Sequence, residues 1–316
     1  MKVLIIEDLH PFLKEELEKT DWQCNVQVGI SKEKLKEIIS TYDGIALRSF
    51  KLSKEILEKA KKLKFIARAG SGMENIDVEY AESRGIKCIN SPEGNRDAVA
   101  EHALGMLLSL FNNLNNADKE VRSGIWDRKG NWGVALQGKT VGIIGFGNTG
   151  NAFAKRLQGL DVKIIACDKY KTGFETDLVQ EVDLKTLFKE TDVLSLHIPL
   201  NDETKFMVNN DFIQQFNKSF YLINTSRGKV VKTDDLVEHL KSGKITGACL
   251  DVLEYEGELF EEIRNQKPEI RNSSFDYLLK SEKVILSPHV AGWTNEAYLK
   301  HSQVLAEKIK TLNSEL

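Results

Sequence analysis

The sequence has few cysteines and no long hydrophobic run. Its four cysteines lie far apart, without a CxxC pair, at Cys24, Cys88, Cys167 and Cys249. Isolated cysteines in apolar strand-like segments usually act as small buried hydrophobes, so neither a metal site nor a disulfide framework is expected. No apolar stretch approaches the roughly 20 residues of a membrane span. These absences argue against metalloproteins, disulfide-rich secreted domains and membrane proteins.

A strong charge of either sign is also missing. The formal net charge is −3, and 29% of the residues are charged. This balance gives no reason to expect nucleic acid or an anionic membrane as a partner. The N-terminus MKVLIIEDLH turns acidic at Glu7, which predicts a first strand rather than a signal peptide. We therefore expect a cytoplasmic protein, long enough at 316 residues for two domains.

A glycine-rich stretch between two apolar runs is the most informative part of the chain. Val141–Ile144 predicts a strand buried on both faces of a parallel sheet. Helix-compatible sequence then begins at Asn148, and a second apolar run over 162–166 leads to Asp168. Between the first strand and the helix lies the pattern G-x-G-x-x-G, formed by Gly145, Gly147 and Gly150.

Each residue of this pattern suits a dinucleotide. The three glycines permit a tight turn, a close approach of the pyrophosphate, and close packing of helix on strand. The helix N-terminus favours the negative charge of the diphosphate. Asp168 lies about 20 residues on, where a carboxylate accepts hydrogen bonds from ribose hydroxyls and repels a 2′-phosphate. The pattern predicts NAD rather than NADP, although two nearby lysines could soften that preference: Lys169 and Lys171.

Strand and helix signals alternate on both sides of this stretch, which predicts an α/β fold of two doubly wound parallel-sheet domains. A long apolar helix over Ala98–Phe111 is expected to cross between them, and a last helix over Glu296–Leu316 to return to the first domain. On the crossing helix, Glu101 and His102 are expected to be packed polar groups rather than catalysts. The predicted strands are Val3–Ile6, Gly44–Leu47, Phe65–Ala67, Lys87–Ile89, Val193–His197, Phe220–Asn224, Thr246–Asp251 and Val284–Leu286.

Three polar residues follow later strands, where ligands bind in open α/β sheets. Reduction of a carbonyl by a nicotinamide requires a proton donor, a group that keeps the donor protonated, and a cation that holds the substrate. His289, Glu256 and Arg227 can fill these three roles. Each alone could be a surface or core residue, but together beside a dinucleotide loop they predict an active site.

A second glycine turn, Gly70–Gly72, also follows a strand. It lacks a third glycine and an acidic residue after the next strand, so it is a poor nucleotide site. Its residues leave two interpretations open. It is an ordinary turn, or its backbone amides hold a small anion.

Taken together, these features resemble the D-isomer-specific 2-hydroxyacid dehydrogenases. The resemblance covers essentially the whole chain and rests on the catalytic candidates, the fingerprint and the segments GSGMENID, SPEGNRDAVAEHA, HIPLNDET, NTSRG and SPHVAGWT. It implies a discontinuous, flavodoxin-like substrate domain over residues 1–98 plus 288–316 and a Rossmann NAD-binding domain over 99–287. It also implies an active site in the interdomain cleft, a small 2-hydroxy or 2-keto acid substrate, and a homodimer formed through the NAD-binding domains.

The resemblance assigns roles residue by residue. It makes Arg227 the substrate-orienting cation and Glu256 the partner of the acid/base His289, and it favours an anion-binding role for Gly70, Ser71 and Gly72. Asp251 resembles a structural aspartate, and His197 resembles either a residue near the nicotinamide or a packing residue. The implied cofactor contacts are Gly145, Phe146, Gly147, Asn148, Thr149, Gly150, Asp168, His197, Ile198, Pro199, Thr204, Thr225, Ser226, Arg227, Asp251, His289 and Gly292.

Within the family, the sequence favours a phosphorylated substrate. Arg48, Ser49, Arg68 and Arg128 are similar to positions that hold a substrate phosphate, whose charge requires cations. This predicts 3-phosphoglycerate and 3-phosphohydroxypyruvate, the substrate pair of serine biosynthesis. Two alternatives remain open. One is a reductase of glyoxylate, hydroxypyruvate or another 2-keto acid, and the other is an NAD-sensing corepressor, which the retained catalytic residues disfavour.

The sequence departs from the family pattern at four places. Gly257 replaces the usual proline after the catalytic glutamate, and the long charged segment 258–283 is expected to lie over the cofactor. Trp293 puts a bulky ring where small residues are common, which would alter the pocket. Because the sequence stops at Leu316, we expect no C-terminal regulatory domain and no feedback inhibition by serine through one.

Overall fold

The computed structural model describes residues 1–256 and 273–313, which form parts of two compact units. The first unit contains residues 1–96 and 293–316, and the second contains residues 97–292. Residues 97–98 and 288–292 therefore group with the second unit, unlike in the predicted division. Gly257 and the part of the charged segment up to residue 272 lie outside the described residues.

The first unit is built on a five-stranded parallel sheet with the strand order β2-β1-β3-β4-β5. In such a doubly wound sheet the strand order reverses beside β1, so the carboxyl ends of β1 and β3 form the expected ligand-binding edge. The strands are β1 (Lys2–Ile5), β2 (Gln23–Val26), β3 (Gly44–Leu47), β4 (Phe65–Arg68) and β5 (Lys87–Asn90).

Helices cover both faces of this sheet. One face packs Leu4, Ile45 and Ile66 against the helices that follow β2 to β4, and the other packs Val3, Phe65 and Ala67 against the first and last helices. Both faces are apolar because a parallel sheet is covered on both sides. The helices of this unit are α1 (Phe12–Glu18), α2 (Lys32–Ile38), α3 (Lys54–Leu57), α4 (Val78–Ser83), the first turn of α5 (Pro92–Phe111) and the C-terminal helix α12 (Asn295–Asn313).

The second unit has a seven-stranded parallel sheet with the order β12-β11-β10-β9-β6-β7-β8. The order reverses between β6 and β9, which is the topological switch point where a dinucleotide binds in a Rossmann domain. Its strands are β6 (Thr140–Ile144), β7 (Lys163–Cys167), β8 (Gln180–Glu181), β9 (Val193–Leu196), β10 (Phe220–Asn224), β11 (Ile245–Leu250) and β12 (Val284–Leu286). Its helices, besides most of α5, are α6 (Leu114–Arg122), α7 (Asn148–Arg156), α8 (Leu184–Glu190), α9 (Asn210–Gln214), α10 (Thr233–Ser242) and α11 (Ser273–Lys280).

The predicted α/β class is confirmed, and the differences are local. Helix α5 begins at Pro92 rather than Ala98, since proline is well tolerated at a helix start. The helical sequence after residue 111 breaks at Asn113, whose backbone is left-handed with φ of 50°. Strands β2 and β8 were not predicted, because they are short and bury few side chains. Among the described residues, no helix is long and apolar enough to cross a membrane.

Candidate active site

The glycine fingerprint forms the connection between β6 and α7. Gly145 has φ of +89°, and a Cβ atom at Gly150 would overlap the Gly145 carbonyl oxygen. Both positions therefore require glycine. A Cβ at Gly147, in contrast, would have no atom within 4 Å. The loop is thus closely packed inside and open at the position where the fingerprint brings a pyrophosphate near the backbone, which fits a dinucleotide.

Asp168, directly after β7, is tied to this loop. Its Oδ2 accepts a hydrogen bond from the Phe146 amide at 2.7 Å, and its Oδ1 accepts from the Lys171 amide at 3.0 Å. Both lysines that could soften the NAD preference have partners. Lys169 pairs with Glu203 at 2.8 Å, and the Lys171 ammonium donates to the Phe146 carbonyl at 3.2 Å.

The loop after β9 contains further predicted cofactor contacts. Burial lowers the pKa of His197 to about 3, so its imidazole is neutral. Its Nε2 lies 2.8 Å from the Ser195 hydroxyl, and its ring packs on Phe153. These contacts favour the packing role for His197. The Thr204 hydroxyl donates to the Pro199 carbonyl at 2.7 Å and thereby shapes the loop.

The segment Asn224–Gly228 follows β10 and presents Arg227. The Asn224 side-chain oxygen accepts from the Ser226 amide and hydroxyl, and its amide group donates to the Arg227 carbonyl at 3.0 Å. The Thr225 hydroxyl is buried and makes no hydrogen bond to the described part of the chain. An unsatisfied buried hydroxyl after a strand of the sheet that carries the fingerprint fits an additional polar partner supplied by a cofactor.

Gly228 brings the loops after β10 and β11 together. A Cβ atom at this position would overlap the backbone of Leu253 and Glu254, so only glycine fits. Three residues beyond Leu253, the carboxylate of Glu256 lies 3.1 Å from His289 Nδ1. Two segments far apart in the sequence thus supply the two members of the pair.

The pair has the electrostatics of a proton donor. The hydrogen bond that His289 donates to the Glu256 carboxylate raises the pKa of His289, partly opposed by burial and by the charge of Arg227. Because Glu256 engages Nδ1, the other ring nitrogen, Nε2, remains for a substrate oxygen. The raised pKa favours the protonated imidazole, and Arg227 lies near enough for its positive charge to oppose that protonation.

Asp251 organises the loop that carries this histidine. Its two carboxylate oxygens accept from the amides of Val290 and Ala291, both at 2.9 Å, and its carbonyl accepts from the His289 amide at 2.8 Å. These bonds hold His289 in a left-handed conformation with φ of 55°. The Ser287 hydroxyl also donates to Asp251 at 2.6 Å. These contacts agree with the structural role that the sequence indicated for Asp251.

The polar residues of α5 support the same scaffold. His102 Nε2 lies 2.8 Å from the Ser287 hydroxyl, and Glu101 accepts from Arg156 at 3.0 Å. His102 is a partly buried polar group, in line with the expectation for the crossing helix, whereas Glu101 is exposed over 63% of its side chain and is not packed.

In the first unit, the Gly70–Gly72 turn follows β4. The Gly70 amide donates to the Ser91 hydroxyl at 3.1 Å, so this amide is already used. In the described part of the chain, the amides of Ser71 and Gly72 donate to no protein group. Those two amides are the ones that could receive an anion.

Two of the arginines predicted to hold phosphate lie near this turn. A Cβ atom at Gly70 would overlap the Arg68 guanidinium, which folds over the glycine, and Arg68 Nε donates to the Arg48 carbonyl at 2.9 Å. The Arg48 guanidinium lies 3.9 Å from the centre of the Trp293 ring. The third arginine, Arg128, is an exposed residue of the second unit, so its predicted approach to the other two stays a prediction.

Glu7 is a residue of this site that no sequence motif indicated. Its Oε2 accepts from the amides of Arg48, Ser49 and Phe50 at 2.6 to 2.8 Å, and its Oε1 accepts from the Ser49 hydroxyl. Both donors of Ser49 are thus bound to Glu7. The available signal was its position directly after β1, at the edge where the strand order reverses.

Comparison with known proteins agrees with this geometry. Residues 104–291 match the family model described as D-isomer specific 2-hydroxyacid dehydrogenase, NAD binding domain. The chain is 40% identical over 298 residues to a hydroxypyruvate reductase of Thermotoga maritima, covering 94% of this chain and 91% of the relative. It is 35% identical over 312 residues to a D-3-phosphoglycerate dehydrogenase of Archaeoglobus fulgidus, covering 98% of this chain but only 56% of that protein's length.

A solved structure shows the same fold over the whole chain. The D-lactate dehydrogenase of Aquifex aeolicus, complexed with NAD and lactic acid, has a TM-score of 0.80 and 28% identity, with 99% of this chain and 96% of that chain covered. The chain therefore belongs to the D-isomer-specific 2-hydroxyacid dehydrogenase family. It is an NAD-dependent oxidoreductase of that family, and NAD is its cofactor.

Proposed function

We propose that the chain interconverts 3-phosphohydroxypyruvate and 3-phosphoglycerate with NADH and NAD. The observation that supports a reductase mechanism is the contact of 3.1 Å between His289 and Glu256, which follow strands of the same sheet as Arg227. The observation that supports a phosphorylated substrate is the Arg68 guanidinium, which folds over Gly70 and donates to the Arg48 carbonyl at 2.9 Å. The D-3-phosphoglycerate dehydrogenase of Archaeoglobus fulgidus is a relative with 35% identity.

In the proposed reaction, each protein group has one task. Bound NADH supplies the hydride that the carbonyl carbon receives. Protonated His289 donates a proton from Nε2 to the carbonyl oxygen, and Glu256 stabilises the imidazolium before transfer. Arg227 holds the carbonyl and carboxylate oxygens with its planar fork of donors. The free amides of Ser71 and Gly72 receive the carboxylate.

Hydroxypyruvate is the second candidate substrate, and a specific observation favours it. Glu7 fills the amides at 48–50 and both donors of Ser49, so these groups have no donor left for a phosphate. The Arg48 guanidinium is also engaged by the Trp293 ring. The relative from Thermotoga maritima, at 40% identity, is a hydroxypyruvate reductase. Hydroxypyruvate carries no phosphate and needs none of these contacts.

We further propose that two copies associate through the second unit and that the protein is cytoplasmic. The segment that follows α6 exposes two large aromatic side chains, Trp126 and Trp132, at 78% and 83% of their surface. Ile125 and Val121 add to this apolar surface. Several large exposed apolar side chains within one segment are typical of protein interfaces. Light scattering should give twice the mass of one chain, and a monomer at micromolar concentration would contradict the dimer.

Arg128 offers the sharpest test of the substrate. A charge-assisted hydrogen bond contributes about 1.5–3 kcal/mol, so Arg128→Gln should lower kcat/KM for 3-phosphohydroxypyruvate about tenfold or more. It should leave hydroxypyruvate nearly unaffected. The matched control is Arg122→Gln, because Arg122 is exposed on α6 and bonds only to Asp118 among the described residues.

The outcomes separate the two substrates. A loss confined to the phosphorylated substrate supports phosphoglycerate chemistry. Equal losses for both substrates, or higher kcat/KM for hydroxypyruvate in the unmodified protein, would contradict it in favour of hydroxypyruvate. Absence of NADH oxidation with every 2-keto acid tested would contradict the reductase itself and leave the corepressor alternative.

A further inference from the structure

The Gly70–Gly72 turn is fixed by a residue of the C-terminal helix. Ser91, which follows β5, is completely buried and makes two hydrogen bonds to Gly70. Its hydroxyl accepts from the Gly70 amide at 3.1 Å, and its own amide donates to the Gly70 carbonyl at 2.9 Å. Both backbone groups of Gly70 are therefore bound by Ser91, and the conformation of the turn depends on the position of Ser91.

His301 on α12 in turn fixes Ser91. Its Nδ1 lies 2.8 Å from the Ser91 hydroxyl and 3.0 Å from the Ser91 carbonyl. The ring is 4% exposed, and a Cβ atom at Gly94 would overlap both the ring and the His301 backbone. Gly94 thus allows the start of α5 to lie directly against α12. The imidazole therefore lies between Gly94 and Ser91.

The charges around His301 favour the neutral form. Burial lowers its pKa to about 4, and the guanidinium groups of Arg48 and Arg68 act in the same direction. A neutral imidazole in this position can bond to Ser91 but is a poor acid near neutral pH. Its role is therefore to hold the structure rather than to transfer protons.

Further hydrogen bonds hold Ser71, the middle residue of the same turn. The Asn90 side chain donates to the Ser71 carbonyl at 2.6 Å, and the Ser71 hydroxyl donates to Asn95 at 2.9 Å. Helix α12 reaches this segment again through Lys308, which donates to the Asn90 carbonyl at 2.9 Å. Gly70 is thus bound by Ser91, and the carbonyl and hydroxyl of Ser71 are bound by Asn90 and Asn95. The backbone amides of Ser71 and Gly72 are the donors of the turn left for a ligand.

We propose that His301 is a positioning residue for substrate, which acts through Ser91 to hold the Gly70–Gly72 turn in the conformation that binds the carboxylate of the 2-keto acid. This inference rests on the proposed function in one respect, namely that the turn is the carboxylate site. It does not depend on whether the substrate has a phosphate. It adds two residues outside the predicted site, Ser91 and His301, to the determinants of substrate affinity.

The test compares three variants by steady-state kinetics with NADH and hydroxypyruvate. Ser91→Ala removes the acceptor of the Gly70 amide, and His301→Leu fills the space of the ring without a hydrogen bond. Each should raise KM for the keto acid about tenfold, equivalent to about 1.4 kcal/mol, with a much smaller change in kcat. His301→Gln retains a donor and an acceptor and should give a KM between that of His301→Leu and that of the unmodified protein.

Ser302 supplies the matched control. It is the next residue on α12, is 1% exposed, and its buried hydroxyl has no partner in the described part of the chain. Ser302→Ala should therefore leave KM for the keto acid unchanged. The Kd for NADH, measured by fluorescence titration, should stay the same in all variants, because the fingerprint belongs to the second unit.

The outcomes distinguish the inference from the proposed function. If Ser91→Ala and His301→Leu lower the thermal midpoint but leave KM unchanged, the positioning role is wrong and the contacts only stabilise the fold. If Ser91→Ala and His301→Leu change kcat and KM no more than the control Ser302→Ala does, the positioning role is also wrong. Oxamate, which carries a carboxylate beside a carbonyl as a 2-keto acid does, is added as an inhibitor to test the site itself. A KM that rises while the Ki of oxamate does not would show that the carboxylate binds elsewhere.

Discussion

The two glycine turns of this chain illustrate two ways to build an anion site. The fingerprint loop is organised from nearby sequence, since the Asp168 carboxylate that binds the Phe146 amide lies 22 residues further on. The Gly70–Gly72 turn depends on Ser91, 21 residues on, and through Ser91 on His301, another 210 residues further. The first loop is complete within one β-α-β unit, from β6 to the residue after β7, whereas the second requires the C-terminal helix to pack in place.

Because the two turns are built differently, substitutions in the two units should have different effects on activity. A change in the second unit removes a group that takes part in chemistry or binds the cofactor, so it should act on turnover or on NADH. A change in the first unit loosens a scaffold of hydrogen bonds around backbone amides, so it should act on substrate affinity and stability. The four variants below test this contrast, from the largest expected effect to the smallest.

Removal of the proton donor should have the largest effect. His289→Ala should lower turnover by roughly 10²–10⁴, the usual contribution of a positioned acid, because no other group would protonate the carbonyl oxygen. The Kd for NADH should change little. The measurement is kcat for NADH oxidation together with NADH fluorescence.

A histidine from the same unit serves as the control for this variant. His239 is buried on α10 and lies 3.0 Å from the Asn210 side chain, so His239→Gln should retain normal turnover. Turnover within a few-fold of normal in folded His289→Ala would exclude His289 as the acid.

The contrast also explains what the sequence could predict. Arg227, Glu256 and His289 are recognisable because each lies within six residues of the end of an apolar strand, and the carboxyl ends of parallel strands meet at one edge. The fingerprint is recognisable because its glycines have fixed spacing. The fold class is predictable from the alternation of apolar runs with helical patterns.

The residues that the sequence did not reveal owe their roles to distant contacts. Glu7 is an unremarkable acid after a strand until β3 brings the amides of 48–50 beside it. His301 is one polar residue on an amphipathic helix, and only the packing of α12 against Gly94 places it on Ser91. The positions of Ser49 and Gly70 were predicted, but not that their donors are used inside the protein.

Replacement of Asp168, the carboxylate predicted to bind the cofactor ribose, should have the next largest effect. Asp168→Ala removes the acceptor for the ribose hydroxyls and the repulsion of a 2′-phosphate, so KM for NADH should rise about tenfold or more. The ratio of kcat/KM for NADH over NADPH should fall. Asp168→Asn keeps the shape and one carbonyl oxygen and should give an intermediate ratio. Equal use of NADPH by the unmodified protein would show that Lys169 and Lys171 outweigh the carboxylate.

A smaller effect, visible as a change in pH dependence, is expected at Glu256. Its hydrogen bond raises the pKa of His289, so Glu256→Gln should lower that pKa and leave less imidazolium at a given pH. Keto-acid reduction needs the protonated ring, so kcat/KM should begin to fall at a lower pH than in the unmodified protein. At pH 8 we expect a loss of about an order of magnitude, well short of that caused by removing the acid. A pH profile identical to that of the unmodified protein would show that the pair does not control proton transfer.

The smallest effect is expected at Glu7, in the first unit. Burial acts to raise the pKa of this carboxyl, but hydrogen bonds from the Ser49 hydroxyl and the amides of 48–50 outweigh it, and the net pKa is lowered. A lowered pKa in the folded state means that the carboxylate stabilises the fold above its ordinary pKa and loses this effect as the pH falls through the folded value. Glu7→Gln should therefore lower the free energy of unfolding by about 1–2 kcal/mol at pH 7 and by less at pH 3. The comparison variant Glu55→Gln breaks only an exposed ion pair with Lys36 and should have no measurable effect.

Since Arg48 and Ser49 depend on the Glu7 carboxylate, KM for the keto acid should rise modestly in Glu7→Gln while kcat and the Kd for NADH stay the same. A fall in kcat without a change in KM would show that the first unit takes part in the chemical step, which would remove the distinction between the two units.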